Sequence, residues 1–358
     1  MSGLEEANSG VVSVRESLRF DETALAVWMC ENVPDFRGPL GVEQFRGGQS
    51  NPTFKLTTPG RQYVLRRKPP GLLLKGAHAV EREAQVVAAL HGAGFPVPRV
   101  FGLCNEPEVI GTAFYVMELV EGRIFWDARL ERLAPAERSA CYDSMNAAIA
   151  QLHTLDHHAL RLADYGRPGN YFARQISRWS KQYLEDNEAG RDPGMDRLVE
   201  WLPNNIPPGD ETTLVHGDYR IDNIIFHPTE PRVAAVLDWE LSTLGHPLAD
   251  FAYSAMSYRV PPTIVPGLGG QDPRELGLPT EAEYVAAYCR RTGRKEIPHF
   301  DFYIAFNFFR LAAIFHGIKG RVLRGTAASE QAHERVRALP QLLDLAVRQA
   351  QAAGMGFI

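Results

Sequence analysis

The residues best placed to do chemistry lie between Val215 and Trp239. In LVHGDYRIDNIIFHPTEPRVAAVLDWE, residues 214–240, Asp218, Asp222, Asn223 and Asp238 interrupt otherwise apolar text. Folding NIIF onto RVAAVLD as a symmetric hairpin, centred between Glu230 and Pro231, sets Asn223 opposite Asp238, and directly opposed strand residues have Cα atoms roughly 4.5–5.5 Å apart. Two oxygen donors would then face one point. Such a pair suits Mg²⁺, which takes few protein ligands and completes its shell from water and phosphate. Asp218 stands five positions before Asn223, inside H-G-D-x-x-x-x-N. Phosphoryl transfer needs a carboxylate that accepts or orients a hydroxyl proton, and a metal that neutralises phosphate oxygens. A turn-stabilising Asn and a capping Asp would account for each residue alone; three roles in this order favour the transfer chemistry.

The elements that must position these groups can be read from periodicity. DETALAVWMCENV, residues 21–33, has helical spacing behind a capping Asp. FRGGQSNPTFKLTT reads as strand, glycine turn, strand; RQYVLRRKP as a third strand ended by PPG. HAVEREAQVVAALHGAG is a helix with apolar positions 80, 84, 87 and 90, and VPRVFGLC and TAFYVMELVEG are short strands. Residues 1–120 thus form a small, mainly antiparallel sheet with one inserted helix. From residue 127 helical patterns dominate, broken by the hairpin, so 121–358 is a mostly helical second lobe. The Pro- and Gly-rich stretch 261–279 reads as a long surface loop.

Composition bounds the answer. At 358 residues the chain needs two lobes, each burying its own core. With 23% charged residues and a formal charge of -5 it has no basic footprint for nucleic acid. Four scattered cysteines form no C-x-x-C pair. MSGLEEANSG is not a secretory leader, and the Phe-rich segment after Pro298 is too polar for a membrane span. A cytoplasmic protein with no membrane contact and no nucleic-acid partner is expected; a homodimer is left open.

LVHGDYRIDNIIF followed by VLDWE resembles the catalytic loop and metal strand of the aminoglycoside phosphotransferase family, related to choline kinases, with glycine for the Arg of the kinase H-R-D. The resemblance runs from about residue 40 onward and implies a bilobal, α+β protein-kinase-like fold that uses ATP and Mg²⁺, with Asp218 catalytic and Asn223 and Asp238 on the metal. It implies further that Gly47, Gly48, Gln49, Ser50 and Asn51 form the turn over the phosphates, although this is neither a Walker loop nor G-x-G-x-x-G. In VEREAQVV, Glu83 pairs with the phosphate-binding cation, and Glu81 faces solvent. Where the family has lysine this chain has Arg66, with Lys68 two residues on along the same strand face; either can serve. In the hinge YVMELVEG, backbone at Glu118 and Val120 would meet the adenine edge and Met117 would wall the pocket. Asp222 is read as structural, and Asp250 as hydrogen-bonded to the catalytic-loop backbone.

The resemblance implies an acceptor that is a small molecule with a hydroxyl group. The second lobe is aromatic and carries Arg310, His316, Lys319 and Arg321, a composition unsuited to a polycation; Arg310 and His316 are its candidate substrate contacts. YVLRRKPPG, HAVEREAQVVAAL and LSTLGHPLADFAY resemble the kinase-like domain associated with acyl-CoA dehydrogenases, which implies a hydroxyacyl-type acceptor. An aminoglycoside or choline kinase and a nucleotide-binding pseudoenzyme are the alternatives. Protein kinase activity is disfavoured because no D-F-G and A-P-E follow.

Overall fold

In the computed structural model, residues 9–47, 51–71, 78–327 and 329–356 are described. The chain divides into two compact units: Met1–Trp126, His158–Tyr165 and Ile221–Ser242 form one, and Asp127–His157, Gly166–Arg220 and Thr243–Ile358 the other. The first unit therefore extends past the expected boundary at residue 120 and includes the acidic hairpin, which the sequence reading had assigned to the helical lobe.

In the first unit the strands are β1 (Val11–Val12), β2 (Gly41–Phe45), β3 (Thr53–Thr57), β4 (Gln62–Arg67), β5 (Val100–Cys104) and β6 (Phe114–Glu118). They form an antiparallel sheet in the order β1-β2-β3-β4-β6-β5. Helix α1 (Glu22–Asn32) starts where Asp21 accepts from the Thr23 and Ala24 N–H groups, both at 2.9 Å. Alternation along β4 separates two layers. Tyr63 and Leu65 join the core that holds Leu25, Trp28 and Met29 of α1. Val64 faces the other way, into a cluster with Val80 and Ala84 of helix α2 (Val80–Gly92) and with Tyr115 and Met117 of β6. The periodic positions 80, 84, 87 and 90 of α2 are all buried, as their spacing required.

The hairpin pairs 224–226 with 233–236, and its register corrects the symmetric expectation. Ile224 faces Val236 and Ile225 faces Ala235, but Phe226 faces Val233, so Ala234 is an extra, bulged residue. The His227 N–H donates to Arg232 O at 2.9 Å, closing a tighter turn than the one assumed. Consequently Asn223 O accepts from the Leu237 N–H at 2.8 Å, and Asn223 lies opposite Leu237 rather than Asp238. Asp238 follows with φ 65° and ψ 61°, in the left-handed region.

After a short helix α3 (Pro107–Ile110) in the first unit, the second unit contributes α4 (Pro135–Thr154), α5 (Tyr171–Glu185), α6 (Pro193–Asn204), α7 (Pro247–Ala255), α8 (Glu281–Thr292), α9 (Phe300–Leu323) and α10 (Glu330–Ala352). A small ladder, 213–215 against 243–245, leads into the H-G-D loop. The Phe-rich helix α9 is buried along most of its length and packs against α10, α7 and α5. No helix among the described residues is long and apolar enough to cross a membrane. Residues 261–279 are irregular, as expected, yet Ile264, Leu268 and Leu278 are buried, and a Cβ on Gly267 would lie 2.1 Å from Val260 O. The loop is pinned to the unit by packing.

Candidate functional site

A cavity of about 520 Å³ opens within the first unit. Its size falls in the range of small-molecule pockets. One part of its lining is the end of β6 and the chain after it, Met117 to Gly122, and other parts are Arg66, Asn223 and Asp238. The first part is apolar because β6 presents Tyr115 and Met117 on one face, and it becomes polar where the strand gives out. The Glu118 N–H is used in the sheet, donating to Arg99 O at 2.8 Å. Gly122 lies against the hairpin so closely that a Cβ there would stand 2.2 Å from Phe226 O.

Arg66 is the electrostatic centre of this cavity. Its side chain is 9% exposed; Nε donates to Glu83 at 3.0 Å, Nη2 donates to Asp238 at 2.5 Å, and Glu240 lies 3.7 Å away. Strand alternation puts Arg66 on the Val64 face, and the first turn of α2 delivers Glu83 to it. Burial works to lower the Arg66 pKa, but Glu83, Asp238, Tyr115 and Glu240 outweigh it and raise it. Burial pushes the Glu83 carboxyl up to about 7, against the attraction of Arg66 and with the help of Asp238 and Glu240. The guanidinium is fixed in its charged state and holds two acidic groups from distant parts of the chain. Lys68, the alternative cation, pairs instead with the solvent-facing Glu81 at 2.9 Å on a more exposed part of the surface.

Asn223 closes a short 3₁₀ turn, Ile221–Asn223, and Asp238 is turned by its left-handed backbone. A non-glycine residue held in that region reports a local constraint of the kind that gathers at functional sites. The two residues thus reach one cavity by different backbone routes. Their hard oxygens, with Glu240 near, make a donor set that fits Mg²⁺ completed by phosphate and water. Among the described residues there is no cluster of three His, Cys, Asp or Glu side chains able to hold a metal without outside ligands. Asp222, read as structural, also lines the cavity.

Within the second unit, Asp218 sits in a loop fixed from behind. Asp250 of α7 accepts from the His216 N–H at 2.7 Å and the Gly217 N–H at 2.8 Å, and His153 Nε2 lies 3.2 Å from the same carboxylate. Arg310 Nη2 donates to Gly217 O at 2.7 Å. The Tyr253 hydroxyl donates to Asp218 Oδ1 at 2.6 Å, and Arg220 Nε lies 3.5 Å from the same oxygen. Burial works to raise the Asp218 carboxyl, while Arg220, the Tyr253 hydroxyl, His216 and Arg310 bring it below its ordinary value. An ionised, weakly basic carboxylate suits the orienting of a hydroxyl better than its early deprotonation.

Of the phosphate-turn residues, Gly47 lines the cavity. Asn51 is buried, its Oδ1 3.1 Å from His78 Nδ1, and Gly48, Gln49 and Ser50 lie outside the described residues. Of the substrate candidates, Arg310 is committed to Gly217 O in the loop that carries Asp218, while His316 Nε2 donates to Gly190 O at 2.7 Å and its ring packs on Tyr183. They lie six residues apart, more than a turn and a half of helix, and serve different neighbours. The residue the sequence reading missed is Tyr253. A signal existed: in DFAY it stands three residues after Asp250, on the same helical face.

Residues 41–303 match the phosphotransferase enzyme family, and the chain belongs to that family. A crystal structure of a candidate aminoglycoside phosphotransferase from Ralstonia eutropha is 50% identical, with a TM-score of 0.86 over 93% of this chain and 99% of that one. An aminoglycoside phosphotransferase in complex with AMP-PNP and hygromycin B is 16% identical, covering 91% of this chain and 99% of that one, and shares the kinase-like fold at a TM-score of 0.59. Acyl-CoA dehydrogenase family member 11 of Gallus gallus is 48% identical over 91% of this chain. The match covers 43% of that relative, so the chain spans under half the length of the curated relatives it matches.

Proposed function

We propose that this chain is an ATP-dependent phosphotransferase that phosphorylates a hydroxyl group of a small molecule. The observation that carries this reading is the cavity of the first unit, whose lining joins an apolar strand end suited to a base with Arg66, Asn223 and Asp238, suited to phosphates and a metal. ATP is the expected donor, since a relative of the same fold binds AMP-PNP. In this reading the hinge backbone at Glu118 and Val120 meets the adenine edge and Met117 packs on the ring. Arg66 holds phosphate oxygens with the planar fork that a lysine lacks. Asn223 and Asp238 would hold Mg²⁺, which neutralises phosphate charge when bound. Asp218 would orient the acceptor hydroxyl and take its proton as its oxygen bonds to the γ-phosphorus and the bond from that phosphorus to the bridging oxygen breaks, releasing ADP.

For the acceptor, the relatives named for acyl-CoA dehydrogenation favour a hydroxyl carried on an acyl group, and the arginines around Asp218 disfavour the polycationic aminoglycosides. Calorimetric titration with ATP and Mg²⁺ should give a single site that Asp238→Asn weakens. Asp218→Ala should abolish phosphoryl transfer and leave that binding intact. Absence of nucleotide binding with Mg²⁺ present would remove the reading. Binding with no transfer to any hydroxyacyl thioester, sugar, choline or aminoglycoside would favour a nucleotide-binding module, for which the arginine at position 66 is the one observation.

A further inference from the structure

Between His157 and Gly166 the chain leaves the second unit, and His158–Tyr165 joins the first. The segment is built from tight turns, with the Arg161 N–H donating to His158 O at 2.9 Å and the Tyr165 N–H to Leu162 O at 3.0 Å. It ends on Gly166, where a Cβ would stand 2.5 Å from both Leu244 N and Thr243 Oγ1. That close approach sets the residue before the glycine, Tyr165, beside the residue before Thr243, Ser242. The Tyr165 side chain is then gripped from two directions. Arg82 Nη2 donates to Tyr165 O at 2.6 Å and the Arg82 guanidinium lies over the Tyr165 ring, 4.3 Å from its centroid, while the Ser242 side chain hydrogen-bonds the Tyr165 hydroxyl.

These contacts close a ring. Arg82 and Glu83 are neighbours on the first turn of α2. Glu83 accepts from Arg66 Nε at 3.0 Å, and Arg66 Nη2 donates to Asp238. From Asp238 the chain runs through the 3₁₀ turn Trp239–Leu241 to Ser242, whose N–H donates to Trp239 O at 3.0 Å. Ser242 returns the ring to Tyr165. Arg66, Glu83, Asp238 and Trp239 line the cavity, whereas Arg82, Tyr165 and Ser242 are not part of its lining. Tyr165 is 2% exposed, but Arg82 is an exposed residue, so its pairing is not needed to satisfy a buried charge. What the pairing fixes is the distance from α2 to the turn that follows Asp238. A guanidinium that reaches two carboxylates at once needs them at a set separation.

We propose that Tyr165 is a positioning residue for the phosphate and metal groups: holding Arg82 on one side and Ser242 on the other, it sets the separation of Glu83 and Asp238, and with it the place of Arg66. The proposal rests on the phosphotransferase reading of the cavity. Tyr165 acts through Arg66 and Asp238 and not on the reacting atoms.

The test is calorimetric titration of the full chain with the Mg²⁺ complex of AMP-PNP and, separately, with adenosine, which carries the base and none of the phosphates. Tyr165→Phe removes the bond to Ser242 and keeps the ring under Arg82; Arg82→Ala removes the grip on the other side. Each should weaken the AMP-PNP complex about 3- to 10-fold and leave adenosine unchanged, with Arg82→Lys between Arg82→Ala and the wild type. Because both substitutions open the same ring, the double variant should bind no more weakly than the weaker single one. The proposal is overturned if either single variant binds the AMP-PNP complex as the wild type does, if adenosine binding falls in step, or if the two losses add. Hydrogen–deuterium exchange of the nucleotide-free chain reads the same ring without a ligand. Each single variant should speed exchange in both 80–84 and 238–242, and a change confined to the substituted side would overturn the proposal. A wild type that fails to bind AMP-PNP would instead sink the phosphotransferase reading, and the exchange measurement would still decide the role of Tyr165.

Discussion

Replacing Arg66 by methionine removes the one cation among Glu83, Asp238 and Glu240 while keeping most of the side-chain volume. Glu83 is the group that cannot adapt by moving to water, because its side chain is only 2% exposed. Breaking a buried pair from one side costs about 3–5 kcal/mol when the remaining charge stays ionised. Protonation of Glu83 limits that cost, and this makes the cost depend on pH. With Arg66 present the Glu83 carboxyl is already raised to about 7 by burial. A raised carboxyl binds its proton more tightly in the folded state, so its contribution is full below the unfolded value and declines as pH rises through the folded one. Without Arg66 the folded value rises further. Below pH 7 the carboxyl is largely protonated in both proteins and contributes no difference between them. Above it the wild type ionises Glu83 and the variant does not, and the Arg66→Met deficit should widen by up to about 1.4 kcal/mol per pH unit. Urea unfolding of the first unit, followed by tryptophan fluorescence at pH 6 and pH 9, reads this directly. The double variant Arg66→Met with Glu83→Gln should remove the pH-dependent part. A deficit equal at the two pH values, or unchanged by Glu83→Gln, would refute the assignment of Arg66 as the partner that keeps Glu83 charged.

Asp250→Ala leaves the His216 and Gly217 N–H groups without their buried acceptor, and should cost about 3–5 kcal/mol in thermal or urea unfolding of the second unit. The Asp250 carboxyl is held below its ordinary value, first by the His153 side chain working against burial; its stabilisation is present above pH 4 and lost as pH falls further, so Asp250→Asn should flatten the acid limb of a stability profile. Tyr253→Phe removes a hydrogen bond that lowers the Asp218 pKa; the acid limb of the kcat–pH profile should move to higher pH while the KM for ATP stays unchanged. Gly122→Ala drives a methyl group into Phe226 O at 2.2 Å, and should lower first-unit stability by about 1–3 kcal/mol, measured as a shift in Tm.

How much of this was legible in the sequence depends on how local the determinant is. The α2 stripe at positions 80, 84, 87 and 90, the Asp21 cap and the strands near β2 to β6 follow from spacing alone, because each is signalled by neighbours within a few residues, whereas the pairing of β4 with β6 is not local. Asp250 behind the loop that carries Asp218 was legible through family resemblance. The hairpin register was not. It turns on one bulged residue, Ala234, and on the His227–Arg232 closure, and in a structure of period two a single inserted residue changes which residues face each other. The unit boundary was missed for a related reason: a linear reading assigns the hairpin to the helices around it, whereas its buried strands complete the first unit.

The arginine at position 66 was legible as a departure, but its consequence was not. A lysine in its place would present a single ammonium to Glu83 or Asp238, and it could lose its proton in so buried a site. The guanidinium stays charged and has separate nitrogens for each, Nε on Glu83 and Nη2 on Asp238. Asp238 is therefore already paired before any metal arrives. If Asn223 and Asp238 held a metal beside a bound phosphate, each member of this pair would gain a new partner, phosphate for Arg66 and metal for Asp238. A metal arriving alone must displace Arg66 with nothing to receive it. It follows that the nucleotide–metal complex should bind far better than either component, and that Arg66→Lys should weaken this coupling more than it weakens ATP binding itself. Titrations of Mg²⁺ with and without ATP, on wild type and Arg66→Lys, measure the coupling as the ratio of the two metal affinities; a ratio near one in the wild type would show that the Arg66–Asp238 pair exerts no such control.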